Sequence, residues 1–268
     1  MTAFEGSGSN PLDVPGAEAK GLGPEADPYT LGLALIGRAR AAGVRLRLLG
    51  GLGVAVRCPS AHQAGPLARG YSDVDVIGAR SERKDICAVF GALQWRPAER
   101  FNAANAATRL LFYHRTGQHA DVFLNDFLLC HELPLERRIA IDAETITLAD
   151  LLLTKLQVAT LNQKDVTDVA ALMLDHDWKD DDRGLNLPYV VQRLSTDWGW
   201  WRTVTENLDR VEEHATLLPL EADLRRRVRE QIDVLRLAVA TCPKSIRWKV
   251  RARLGDRVRW RLEPETRG

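Results

Sequence analysis

The chain has no excess of charge of either sign. Its 37 Lys and Arg stand against 36 Asp and Glu, a formal net charge of +1. A long-range attraction of the whole molecule to nucleic acid or to an anionic membrane is thereby excluded, and only local patches can supply one. No apolar run approaches the roughly 18 residues that a bilayer-spanning helix needs, so no membrane is expected among the partners. The opening "MTAFEGSGSNPLDVPG" lacks the basic-then-apolar order of a secretory signal, and the cytoplasm is the expected compartment. The cysteines Cys58, Cys87, Cys130 and Cys242 form no CxxC pair. Neither a zinc site nor a disulfide framework is indicated, and they read as reduced thiols. No repeat of fixed period is present.

Apolar residues make up 45% of the 268 positions, enough to build one large domain or two modest ones. Residues 1–28, rich in Gly, Pro, Ser and acidic side chains, are expected to form a flexible leader. From Tyr29 to Ala42 the helical spacing of Leu31, Leu35 and Ile36 predicts a helix ended by Gly43. "VRLRLLGG" (44–51) reads as a strand that stops at a glycine pair, with a short helix after it. A long loop leads to the strand "DVDVIGA", and "SERKDICAVFGAL" reads as a helix capped by Ser81. "TRLLFYH" and "HADVFL", separated by "RTGQ", read as a hairpin. After residue 147 strand signals vanish, and helices are expected over Leu148–Leu161, Lys164–His176, Asn186–Asp197, Trp198–Leu217 and Leu220–Cys242. The fold class is therefore α+β: a mixed core over 29–147 and a helical domain over 148–268.

The chemistry concentrates at "YSDVDVIG" (71–78). Side chains two apart on a strand share a face, so Asp73 and Asp75 lie roughly 7 Å apart on one side while Val74 and Val76 enter the core. A third carboxylate, Asp121, is flanked in the same way by Val122 and Leu124. Carboxylates gathered from two strands form an oxygen set whose repulsion a divalent cation relieves, and magnesium suits such donors. Gly50 and Gly51, between a strand and a helix, would let phosphates approach the backbone and the positive end of that helix.

The order glycine turn, helix, Asp-x-Asp strand, helix, hairpin strand with a third Asp resembles the polymerase-β-like nucleotidyltransferase superfamily, at "LLGG", "SDVDV" and "ADVFL". The segment "LLLTKLQVATLNQKDVTDVAALM" (151–173) resembles the Lys-Leu and Lys-Asp-x-x-Asp helical motifs of AbiEii-type nucleotidyltransferases, which include toxins of type IV toxin–antitoxin systems. The resemblance covers roughly residues 44–175. It implies two magnesium ions on Asp73, Asp75 and Asp121, transfer of an NMP from an NTP to an acceptor hydroxyl, and Asp121 as the base that takes the hydroxyl proton. It makes Lys155 a candidate triphosphate contact and sets Asp165 or Asp168 near the cleft, Asp165 being the candidate nucleotide contact. It also suggests an RNA end such as tRNA as acceptor and a cognate antitoxin as partner. The family commonly has Gly-Ser where this chain has Gly50–Gly51, so Ser72 is the candidate to supply the missing hydroxyl.

A phosphatase of the haloacid dehalogenase type places its first Asp at the end of an apolar strand, whereas "LARGYS" precedes Asp73. Metal-dependent glycosyltransferases need a longer nucleotide-binding segment ahead of their Asp-x-Asp. The alternatives kept are a small-molecule acceptor, as in antibiotic nucleotidyltransferases, and a non-catalytic nucleotide-binding module. His114 and His119 read as surface hairpin residues, and Trp198, Trp200 and Trp201 as core. The basic tail "KSIRWKVRARLGDRVRWRLE", with Trp248 and Trp260 interleaved, would suit a phosphate backbone and stacked bases.

Overall fold

The computed structural model describes residues 27–62 and 65–262. Helix α1 (Pro28–Ala41) begins one residue before the expected position because Asp27 caps it, accepting from the Thr30 N–H at 2.9 Å. The expected leader otherwise lies outside the described residues. Strand β1 (Leu46–Leu48) is shorter than the sequence pattern suggested, since Gly50 already belongs to α2 (Gly50–Arg57). Strand β2 (Asp73–Gly78) follows, then α3 (Arg83–Ala92). Ser81 does not cap α3: it lies inside a single 3-10 turn, Arg80–Glu82, and Glu82 takes the cap position without a side-chain bond.

Two elements that the sequence pattern did not reveal, β3 (Arg96–Pro97) and α4 (Glu99–Asn105), precede the hairpin of β4 (Arg109–Tyr113) and β5 (His119–Leu124). A small hairpin of β6 (Asp126–Leu128) and β7 (Glu132–Pro134) closes this half. The helical half opens at α5 (Leu148–Leu156), whose N-cap Thr147 accepts from the Asp150 N–H. It continues through α6 (Gln163–Asp175), α7 (Leu187–Thr196), α8 (Trp198–Ala215), α9 (Ala222–Thr241) and α10 (Ile246–Leu254). Strand structure does not wholly vanish there, because two-residue strands β8 (Trp178–Lys179) and β9 (Leu185–Asn186) pair ahead of α7.

The five-stranded sheet runs in the order β1-β2-β5-β4-β3 and is mixed: β2 and β5 are parallel, and every other pairing is antiparallel. Alternation divides its two faces. One face, with Leu46, Leu48, Val74, Val76, Phe112, Ala120 and Val122, packs beneath Leu31 and Leu35 of α1 and Ile86 and Phe90 of α3. The opposite face carries Asp73, Asp75 and Ile77 from β2, and His119, Asp121 and Phe123 from β5. Ile77 joins a second core that includes Leu49 and Val54 on one side of Thr147 and Leu151, Val169, Trp200 and Ile232 on the other. The two halves thus share a core, and the acidic face of the sheet is turned toward the helices.

Candidate active site

The parallel register of β2 and β5 pairs Asp75 with Asp121 and Asp73 with His119. Neighbouring strands lie about 4.8 Å apart, so the Asp75 and Asp121 side chains leave the sheet together. Their surroundings differ. Asp121 is buried and accepts from Arg109 of β4, through Nε at 2.9 Å and Nη2 at 2.8 Å. Asp73 Oδ1 lies 3.3 Å from His119 Nε2. The Asp75 carboxylate accepts no hydrogen bond among the described residues. Burial, and then the neighbouring Asp121, push its pKa up to about 6, while Lys155 and Arg109 pull the other way. A buried acid whose pKa is raised in this way marks a candidate functional group.

Gly50 and Gly51 adjoin these acids. Gly50 has a φ of +63°, which favours glycine, and a Cβ there would overlap the Asp75 carboxylate. The turn is tied to β2 by the Leu49 N–H, which donates to the Asp75 carbonyl at 3.0 Å. The first-turn N–H groups of Gly50, Gly51 and Leu52 find no acceptor among the described residues, as expected where a helix opens toward a cleft. A Cβ on Gly51 would instead overlap the guanidinium of Arg69 and press on the Tyr71 ring. A serine at this position would therefore collide with Arg69, whose guanidinium fills that space. Ser72 is exposed just ahead of β2, and no hydrogen bond among the described residues ties it to the turn.

Arg69 is held from behind. Asp168 of α6, fully buried, accepts from Arg69 Nε at 2.9 Å and Nη2 at 2.7 Å, and its Oδ2 lies 2.8 Å from Lys155 Nζ. Lys155 stands in the last turn of α5 and also pairs with Asp165 at 3.2 Å. Burial works against the Lys155 charge, but Asp168 and Asp165 outweigh it and hold its pKa above the usual lysine value. Asp165 has a second duty in the capping box of α6, where its N–H donates to Asn162 Oδ1 at 3.0 Å. Asp165 is thus bonded to protein groups on both sides, and it bears on the cleft through Lys155.

No protein-family model matches the chain. No curated protein is significantly similar to it.

The donor chemistry of the acidic face fits a hard divalent cation, since Asp73, Asp75 and Asp121 offer only oxygen and Asp75 has no cationic partner of its own. Among the described residues, however, no three His, Cys, Asp or Glu side chains converge into a ready-made cage. The three acids lie on one face of the sheet, on its inner strands β2 and β5, and Arg109 and His119 attend Asp121 and Asp73.

Two residues escaped the sequence reading. Arg109 sits on β4 two positions out of register with Asp121, and only the pairing of β4 with β5 reveals their contact. Arg69 lay in a loop with no periodicity. His119 lies beside Asp73, although it read as a surface residue. Trp198 and Trp200 are buried, as expected. The tail forms α10, and its aromatic rings are turned inward: Trp248 donates to the Leu194 carbonyl and meets Trp201 edge-on, and Trp260 packs on Trp198. Arg247, Lys249 and Arg253 remain exposed. The tail offers cations to a phosphate backbone, but its rings are already engaged.

Proposed function

We propose that this protein is a magnesium-dependent nucleotidyltransferase built on a polymerase-β-like core, and that the five-stranded sheet with α2 and α3 is that core. The observation that carries this reading is the pairing of Asp75 with Asp121 on adjacent parallel strands, beside a glycine turn whose Cβ-free surface meets the Asp75 carboxylate. The phosphates of a nucleoside triphosphate would lie along Gly50–Gly51, meeting the free N–H groups of α2 and the positive end of its dipole. Arg69 and Lys155, fixed by Asp168, would add positive charge on that side.

Asp73, Asp75 and Asp121 would hold two magnesium ions, which when bound lower the acceptor hydroxyl's pKa and offset charge on the departing phosphates. Asp121 takes the proton of the acceptor hydroxyl as its oxygen bonds to the α-phosphorus, and the bond from that phosphorus to pyrophosphate breaks. Arg109, already on Asp121, orients that carboxylate. His119 does the same for Asp73.

An RNA end, tRNA included, is the acceptor favoured by the AbiEii-like helices and the exposed cations of α10; a cognate antitoxin would then be a partner. A small-molecule acceptor is the runner-up. The pairing of Arg109 with Asp121, which counters part of the charge that a metal would need, favours a further reading: a nucleotide-binding module without catalysis. Incubation with each α-labelled NTP, Mg2+ and total RNA separates the three. Label in RNA is expected, and Asp121→Asn should lower its incorporation by roughly 10²–10⁴-fold. Label in a small metabolite selects the runner-up. Binding of NTP with no transfer selects the module.

A further inference from the structure

A cavity of about 270 Å³ opens beside Arg69 and Tyr71, the residues that crowd Gly51 of the glycine turn. Its walls come from the first turn of α1, from α2 at the buried Ala55, one helical turn beyond Gly51, and from the chain that leads into β2. Three rings face it. Tyr29 and His62 meet edge to face with centroids 5.2 Å apart, forming a corner. Opposite, the Arg69 guanidinium lies 4.5 Å above the Tyr71 ring. The Tyr71 hydroxyl is committed to the Ala61 carbonyl at 3.2 Å, which fixes the ring. The carboxylate of Asp27, at the rim, is occupied with Thr30. The ring nitrogens of His62 make no hydrogen bond among the described residues.

We infer that this cavity receives a nucleobase, and that Arg69 meets the phosphate attached to it. The inference rests on the nucleotidyltransferase reading for its biological sense but not for its chemistry. Aromatic walls favour a flat π-system over an aliphatic chain. His62 brings one ring donor and one ring acceptor, which suits the hydrogen-bonding edge of a base. Arg69 and Tyr71 are shared by the cavity wall and the Gly51 surface, so a ligand with its ring in the cavity reaches the phosphate side of the turn. The carboxylate of Asp27 at the rim disfavours a long polyanion lying across the entrance. The base could belong to the donor nucleotide or to an unpaired end of an acceptor RNA, and the chemistry is the same.

The test is direct binding of AMP, GMP, CMP, UMP and a short single-stranded RNA to the full chain without divalent ions, followed by titration calorimetry. At least one of these ligands should bind, and His62→Ala and Tyr29→Leu should each weaken it by about tenfold. Tyr29→Phe should bind like the wild type, and unchanged melting temperatures would show that the variants fold. If none of the ligands binds, or if His62→Ala and Tyr29→Leu bind as the wild type does, the inference is wrong. Where transfer is observed, a KM raised for NTP assigns the base to the donor, and one raised for RNA assigns it to the acceptor. Transfer with wild-type binding in both variants would sink the cavity alone. His62-sensitive binding without any transfer would sink the catalytic reading alone.

Discussion

Asp75 and Asp168 are carboxylates of one protein on two sides of one glycine turn, and they meet opposite conditions. Asp168 is fully buried with its charge answered: Arg69 forks onto it and Lys155 joins from α5. Asp75 has Asp121 beside it and no hydrogen bond of its own among the described residues, and its pKa rises to about 6. Clusters that answer their own charge behave as structure. A cluster that leaves negative charge unanswered at a cleft is where an outside cation gains most. The contrast separates a clamp, which joins α5 and α6 to the approach of β2, from a sheet face on which Asp75 has no ion pair of its own.

Breaking the clamp should have the larger effect on the fold. Asp168→Ala leaves Arg69 and Lys155 as buried cations without their shared partner, and a loss of about 3–5 kcal/mol is expected. Urea unfolding of the variant against the wild type measures it. A loss below about 1 kcal/mol would mean that water reaches the clamp, and the distinction from Asp75 would fail.

Asp75 should respond with the opposite sign. A carboxylate whose folded pKa lies above its unfolded value contributes its stability below the unfolded pKa, near 4, and loses it as pH rises through about 6. At pH 7 the ionised Asp75 therefore costs up to about 3 kcal/mol, taking two units at 1.36 kcal/mol each. Asp75→Asn should raise the melting temperature at pH 7 and leave it unchanged at pH 4. Added Mg2+ should stabilise the wild type above pH 6 and have less effect on the variant. A variant that is less stable at pH 7 would show that Asp75 is already satisfied by the protein.

The reach of the sequence can be stated residue by residue. Asp73, Asp75 and Asp121 were legible because a strand repeats every two residues, and valines at alternate positions declare which side is the core. The register that sets Asp75 against Asp121 was not legible, since it depends on which strands become neighbours. Arg69 contacts a partner 99 positions away, and no local pattern encodes such a contact. The Gly50–Gly51 turn could be read, but the guanidinium that requires Gly51 to lack a side chain could not. Ser81 failed as a cap because it lies inside a 3-10 turn ahead of α3, and a helix boundary shifts by a residue or two without a local signal. The tail's tryptophans were visible as aromatic residues, while the face they would seek was decided by α7 and α8.

The smallest expected effect concerns the outer member of the clamp. Asn162 accepts from the Asp165 N–H at 3.0 Å, whereas the reciprocal bond from the Asn162 N–H to Asp165 is long at 3.5 Å. Asn162→Ala removes the better half of the capping box without changing any charge, and about 1 kcal/mol should be lost. Asp165→Asn should cost no more, because Asp168 still holds Lys155 at the shorter distance. Nucleotide affinity should be the same in both variants if Asp165 acts only through Lys155. Thermal melts and NTP titrations of the pair check this together: weaker NTP binding in Asp165→Asn alone would move Asp165 from the answered cluster to the ligand's side of the turn.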